Sequence, residues 1–226
     1  PTTFTSTGGT VALNGGLAGA ANSLIISGNA TLGPNIAAGS LSVSGTTLIN
    51  AATVNTGAGN QTYTGNVTLG ANTALTAGTV QFDGNISGGN TLAITGNALL
   101  GNANGDSATG LSSLTVSGTT TITAGTVTST GIQTYSGNVT LGSNVTLTTT
   151  NSNITIGGST NGGQTLSLTA GAGDITFTGA VGNVTVLTSI TVNSVDDLLF
   201  SSTIRTTGNV TQTNGTGTTT LNGSGG

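Results

Sequence analysis

The sequence predicts an all-β fold, a parallel β-solenoid of about ten turns, and three observations lead to this prediction. Apolar residues alternate with polar ones, glycine and asparagine recur between the alternating stretches, and the chain repeats itself over a long period. A period of two is typical of half-buried strands, and a long internal repeat is typical of solenoids. A Greek-key sandwich is the alternative, because its strands alternate in the same way, although it gives no reason for a verbatim repeat.

The strands are predicted from pairs of apolar residues separated by one residue. Threonine, which fills many positions between them, is β-branched and favours extended backbone, whereas Gly and Asn supply turns. No apolar run has helical spacing, and Lys and Met are absent, so no helix is predicted. The pairs are Leu24/Ile26, Leu41/Val43, Val67/Leu69, Leu92/Ile94, Leu114/Val116, Val139/Leu141, Val145/Leu147, Ile154/Ile156, Leu166/Leu168, Ile175/Phe177, Val184/Val186 and Ile190/Val192.

One short segment occurs almost unchanged at two places in the chain. QTYTGNVTLG at 61–70 returns as QTYSGNVTLG at 133–142, which indicates an internal repeat of about 72 residues. At about 20 to 24 residues a turn, each repeat is expected to make three turns. We interpret residues 1–226 as one domain, in which 40–112 and 113–188 are full units and 1–39 and 189–226 are partial ones.

The composition excludes most kinds of chemistry. The chain has five acidic residues, one basic residue, and no His or Cys. A serine nucleophile would therefore lack an activating histidine, a glycine-rich loop would lack a phosphate-binding lysine, and thiolate metal sites and disulfides cannot form. We expect no enzyme, no catalytic site, no cofactor and no bound metal.

The same composition bears on partners and location. The single cation, Arg205, provides no basic face for nucleic acid. The sequence also has no stretch of about 18 apolar residues that could insert in a membrane. The N-terminal residues PTTF have no signal-peptide features. We therefore expect a mature or excised piece whose targeting information lay elsewhere.

The acidic residues could be catalytic groups or turn formers. Asp196 and Asp197 are the only carboxylate pair, and because neighbouring strand residues point to opposite faces, we expect a solvated bend near Arg205 rather than acid/base catalysis. Asp83, Asp106 and Asp174 each adjoin a glycine, which predicts turns.

Three further segments suggest binding functions. The run 101–110 has oxygen ligands for Ca²⁺ but lacks the periodicity of calcium-stacked rolls, so it predicts a plain loop. Tyr63 and Tyr135 could stack on sugars, but their equivalent places in the repeat favour one recurring core or corner position. The runs Thr119–Thr123 and Thr146–Thr150 suggest an ice-binding face, although a regular T-x-T array at every turn is not visible in the sequence.

Several segments resemble the repeats of large bacterial surface proteins of the filamentous-haemagglutinin type. They are GNVTLGSNVTLTTTNSNITIGG at 137–158, GGQTLSLTAGAGDITFTGAVG at 162–182 and LTSITVNS at 187–194. The resemblance implies a right-handed parallel β-helix, an extracellular or cell-surface location, and a role in an adhesin stalk or filament. The sequence has no identifiable secretion domain of that family.

Two classes of function are therefore expected. The first is a structural one, in which open β edges stack end to end on other copies or on flanking repeats of a longer chain, because the first and last residues, PTTFTSTGG and TTTLNGSGG, carry no capping helix or edge charge. The alternative is a binding function, in which one face of the solenoid binds ice, or host or surface glycans.

Overall fold

The computed structural model describes residues 1–223, except for the side chain of Ala20. The described residues form strands, turns and bends and contain no helix, and every pair of strands is parallel. The strands are β1 (Thr2–Leu13), β2 (Leu17–Leu32), β3 (Asn35–Val43), β4 (Thr47–Ile49), β5 (Thr53–Asn55), β6 (Gln61–Tyr63), β7 (Val67–Leu69), β8 (Thr73–Phe82), β9 (Ile86–Ser87), β10 (Thr91–Leu100), β11 (Ser107–Leu111), β12 (Ser113–Val116), β13 (Thr120–Ile122), β14 (Thr126–Ser129), β15 (Gln133–Tyr135), β16 (Val139–Leu141), β17 (Val145–Thr149), β18 (Ile154–Ile156), β19 (Thr160–Asn161), β20 (Thr165–Thr169), β21 (Ile175–Phe177), β22 (Ser189–Ser194), β23 (Leu198–Phe200), β24 (Val210–Gln212) and β25 (Thr219–Leu221).

The chain winds into a three-sided parallel β-solenoid, which confirms the predicted fold class. We call its three sides face I, which contains β6, face II, which contains β7, and face III, which contains β15. In one turn the chain passes through β16 on face I, β17 on face II and β18 on face III, and it returns to face I as β19, which pairs with β16. Residues 1–223 make about eleven turns. At a strand separation of about 4.8 Å, these turns form a rod about 50 Å long.

The turns differ in length, and the long repeat does not match a whole number of them. A short turn brings Leu24 into register with Leu41, whereas a longer one brings Leu168 into register with Val192. The nine turns from Leu24 to Ile204 have a mean length of about 20 residues, at the short end for solenoid repeats. The expectation of three turns per repeat is therefore wrong, because a turn is shorter than a third of the repeat, which covers three turns and two further faces.

Short inward-outward-inward segments build one continuous core. On face III, for example, Leu114 and Val116 are buried while Thr115 between them is half-buried. The core extends from Leu24 to Phe200. It includes two stacked aromatic pairs in adjacent turns, Tyr63 on Phe82 with ring centroids 5.2 Å apart and Phe177 on Phe200 at 4.7 Å.

Eleven of the twelve predicted apolar pairs are buried in this core. The exception is Val184/Val186, which are 80% and 37% exposed. Neither residue lies in a strand: Val184 is in a bend between faces I and II, and Val186 follows that bend. The carboxamide oxygen of Asn161 accepts the backbone N–H of Val184 at 2.9 Å and of Thr185 at 3.1 Å, which fixes the bend instead of a strand pairing.

Glycine and asparagine have separate roles at the corners between faces. At the corner between faces III and I, glycines of five successive turns stack so closely that a Cβ would collide with the backbone of the turn before it. Asparagine side chains at the corners accept backbone N–H groups from the following turn, as Asn138 does from Ser159 at 2.9 Å. Glycine therefore lets one corner fit on top of a similar corner. The stacked glycines are Gly96, Gly118, Gly137, Gly158 and Gly179.

Candidate functional site

The first copy of the repeated segment buries a polar cluster at a corner of the core. The Gln61 amide nitrogen donates to the carbonyls of Val54 at 2.9 Å and Thr76 at 3.0 Å, so it joins the preceding face to the following turn. Its amide oxygen accepts the hydroxyl of Tyr63 at 3.0 Å. Gln61 and Tyr63 are fully buried.

The second copy builds the same cluster on a different face. Gln133 donates to the carbonyls of Val127 at 3.3 Å and Thr148 at 2.9 Å, and it accepts the Tyr135 hydroxyl at 3.1 Å. Burial raises the pKa of both Tyr63 and Tyr135 well above the ordinary value for tyrosine. The prediction of a recurring buried position is confirmed, although the two rings lie on different faces. Neither ring is available to stack on a sugar.

Asp196 and Asp197 lie in a bend, as expected, but their side chains converge. The Oδ1 atoms of both carboxylates lie against Gly217 in the following turn, closer than a Cβ there would tolerate. The expectation that they diverge is wrong, because alternation applies to a strand and these residues form a corner. They accept hydrogen bonds at 2.6 Å from the Thr216 hydroxyl and the Thr218 N–H rather than from Arg205.

The other three aspartates hold turns or corners together. Asp83 accepts the Gln81 amide at 2.7 Å. Asp174 accepts a hydrogen bond from the backbone N–H of Asp197 at 3.2 Å, so the hydrogen bonds between corners of adjacent turns extend by one more turn. No group of three or more His, Cys, Asp or Glu that could hold a metal ion occurs among residues 1–223.

The third of these aspartates, Asp106, lies in the run 101–110, which divides into two parts. Residues 101–106 form a loop, as predicted, and the remaining four begin β11. The Oδ2 atom of Asp106 accepts the N–H groups of Asn102 and Ala103, both at 2.9 Å. This carboxylate therefore closes its own loop.

Face II carries two rows of outward-facing hydroxyl side chains, which we call the hydroxyl array. Within each row the members are partners in the register of adjacent turns. Because these turns are unequal in length, no fixed period shows the rows in the sequence. The amide of Asn193 donates to the hydroxyls of Ser167 at 3.0 Å and Thr169 at 3.2 Å. The first row is Ser107, Thr126, Thr146, Ser167, Thr191 and Thr211, and the second is Thr128, Thr148 and Thr169.

The two threonine runs noted in the sequence fall in different environments. Thr146 and Thr148 belong to the hydroxyl array, whereas the inward-facing Thr149 donates to the carbonyl of Ser152. The run Thr119–Thr123 lies mainly on face I, where Thr120 is buried in the core. Face III has a single row of four in-register threonines, Thr115, Thr134, Thr155 and Thr176.

The two terminal turns leave core positions uncovered. In the described residues β1 pairs only with β2, β24 pairs only with β22, and β25 pairs only with β23. Val210 is 44% exposed and Leu221 is 62% exposed. They line an open cavity of about 330 Å³ together with Phe200 of the core and Ile204, which packs against the core.

Comparison with known proteins identifies no relative: no family model, no curated protein and no solved structure matches the chain. Within residues 1–223 there is also no helix long and apolar enough to cross a membrane.

Proposed function

We propose that this chain is a structural building block of an extracellular fibre or adhesin stalk, without catalytic activity, whose open β edges stack end to end on other copies or on flanking repeats of a longer chain. The observation that carries the proposal is the uncovered end of the core at Val210 and Leu221, beside strands with an unpaired edge. The extracellular location is supported by the resemblance to haemagglutinin-type repeats and by the scarcity of reactive side chains.

A turn of the same kind is the cover that fits this end best. An unpaired parallel edge presents N–H and C=O groups that another strand can satisfy, and each apolar side chain that becomes buried contributes about 1.5–3 kcal/mol. The register runs without interruption along face III from Leu17 near the first turn to Leu221 in the last. In-register stacking of a second copy therefore places Leu17 of one chain on Leu221 of the other.

Sedimentation velocity and electron microscopy at low micromolar concentration test this proposal. We expect rods longer than one chain, and we expect the double variant Val210→Lys and Leu221→Lys to remain monomeric, because each lysine places a charge on the stacking surface. Val184→Lys and Val186→Lys form the matched control, since they add the same charge on the side of the rod.

Discrete monomers of the unmodified chain would contradict end-to-end stacking, and so would filaments that the end variant leaves intact. Antibody labelling of intact cells that produce the protein tests the location, and labelling only after the cells are permeabilised would contradict the extracellular role.

A further inference from the structure

We propose that the hydroxyl array on face II is an ice-binding surface. The proposal concerns the side of the solenoid, so it goes beyond the structural role proposed above and does not depend on stacking at the ends.

Across β14, β17 and β20 the hydroxyl array is a regular two-dimensional lattice of hydroxyl and methyl groups. Adjacent strands in a sheet are separated by about 4.8 Å, and the two rows by two positions along a strand, which is about 6.6 Å. The register across β14, β17 and β20 has no bulge, so Thr126/Thr128, Thr146/Thr148 and Ser167/Thr169 follow one another in order. These side chains are half-buried, and the χ1 angle of threonine is restricted by its branched Cβ, so the lattice is rigid.

Such a lattice suits a partner that is itself periodic. Exchanging one hydroxyl–water hydrogen bond for another yields only about 1 kcal/mol or less, so a small ligand that meets one or two of these groups gains little. A partner whose hydrogen-bonding groups repeat in two dimensions meets many of them at once, and the contributions accumulate as in multivalent binding. A crystal surface is the kind of partner that repeats in this way.

The chemistry of the array favours ice over a crystalline polysaccharide. The array contains only Ser and Thr, and the Asn193 amide that is bonded to Ser167 and Thr169 also has neither charge nor aromatic ring. The two tyrosines of the chain are buried. Sugar rings usually stack on exposed aromatic side chains, which this face does not have. Ordered water needs only donors, acceptors and small apolar groups at fixed separations, and in-register threonines supply all three.

Thermal hysteresis and inhibition of ice recrystallisation test the proposal. The diagnostic variant is Thr148→Tyr, which places a bulky ring between Thr128 and Thr169 in the second row. The matched control is Thr155→Tyr in the same turn on face III, where the residue also lies between two threonines, Thr134 and Thr176. Circular dichroism of both variants verifies that the solenoid is folded.

We expect hysteresis from the unmodified chain and from Thr155→Tyr, and loss of most of it from Thr148→Tyr. Hysteresis should also persist in the end variant Val210→Lys/Leu221→Lys, which separates this surface from stacking. An unmodified chain that does not affect ice growth would overturn the proposal, as would equal losses in the two tyrosine variants. If the protein co-sediments with crystalline cellulose or chitin and has no effect on ice growth, the array binds polysaccharide, and the proposal is overturned.

Discussion

Three buried threonines should weaken the solenoid, and replacing them with valine should strengthen it. The hydroxyls of Thr47, Thr120 and Thr160 are buried and have no hydrogen-bond partner among the described residues. A polar atom that loses water without gaining a partner lowers stability. The change Thr120→Val removes this atom and nearly preserves the shape of the side chain.

The register shows that valine fits these positions. Thr47 pairs with Val67, and Thr120 pairs with Val139 in the following turn. An unsatisfied buried hydroxyl costs about 1–3 kcal/mol, so we expect each replacement to raise the free energy of unfolding by about 1–2 kcal/mol. Each kcal/mol corresponds to about 2–4 °C in Tm for a chain of this size.

The matched control is a buried threonine whose hydroxyl is bonded. Thr73 donates to the carbonyls of Ala51 and Ala71, both at 3.0 Å, so Thr73→Val should lower stability by about 1 kcal/mol or more. Thr47 and Thr120 are nearly four turns apart, about 18 Å along the axis, and their effects should add in a double variant.

Denaturation in guanidinium chloride and differential scanning calorimetry measure these effects. Because a repeat protein can unfold in stages, we compare denaturation midpoints of the same transition and follow hydrogen exchange in β13. If Thr120→Val were neutral, or destabilising like Thr73→Val, the reasoning from the unpartnered hydroxyl would be refuted.

Three other changes test the corners and the core. Gln133→Leu should cost about 2–4 kcal/mol, because it leaves several buried groups unpaired; a denaturation midpoint equal to that of the unmodified chain would contradict this. Gly137→Ala should cost about 1–3 kcal/mol of stability, because the added Cβ collides with the preceding turn. The control Gly89→Ala, where a Cβ meets nothing within 4 Å, should be neutral or stabilising by up to about 1 kcal/mol. Equal effects of the two changes on Tm would show that corner packing is not the cause. Burial raises the pKa of Tyr63 and Tyr135 in the folded state, so the contribution of these two tyrosines to stability should be constant below about pH 10 and should be lost as the pH rises above it; tyrosinate absorbance should appear together with the loss of β-sheet circular dichroism, and its appearance in the folded protein would contradict burial.

The fold could be predicted from local pattern because each strand needs only a few residues. Pairs such as Leu114/Val116 are buried where the alternation placed them, since in a solenoid the inward direction on every face follows from the pleat alone. The pair Val184/Val186 has the same alternation but does not lie in a strand. Alternation identifies residues that can form a strand, and the pairing to the next turn decides whether they do.

The candidate surfaces were much less predictable, because they depend on register between turns. The first row of the hydroxyl array connects Thr126, Thr146 and Ser167 across turns of unequal length, and unequal lengths remove any period from the sequence. Asp196 and Asp197 converge against Gly217, which lies in the next turn and not in the same stretch of sequence. Corner geometry and turn length are set by packing on the previous turn, and a single stretch of sequence does not contain that information.

The repeated segment shows that the structural unit is a strand with its corner rather than a turn. Gln61 lies on face I and Gln133 on face III, yet each amide joins the carbonyl of the preceding face to a carbonyl of the following turn. Both glutamines occupy the first inward position after a corner. Thr120 occupies this position on face I as well, but its hydroxyl is too short to make the contacts that the Gln amide makes, and it stays unpaired. The same segment can form part of two faces because the chain on every face must turn a corner and then place side chains in the core within one short strand.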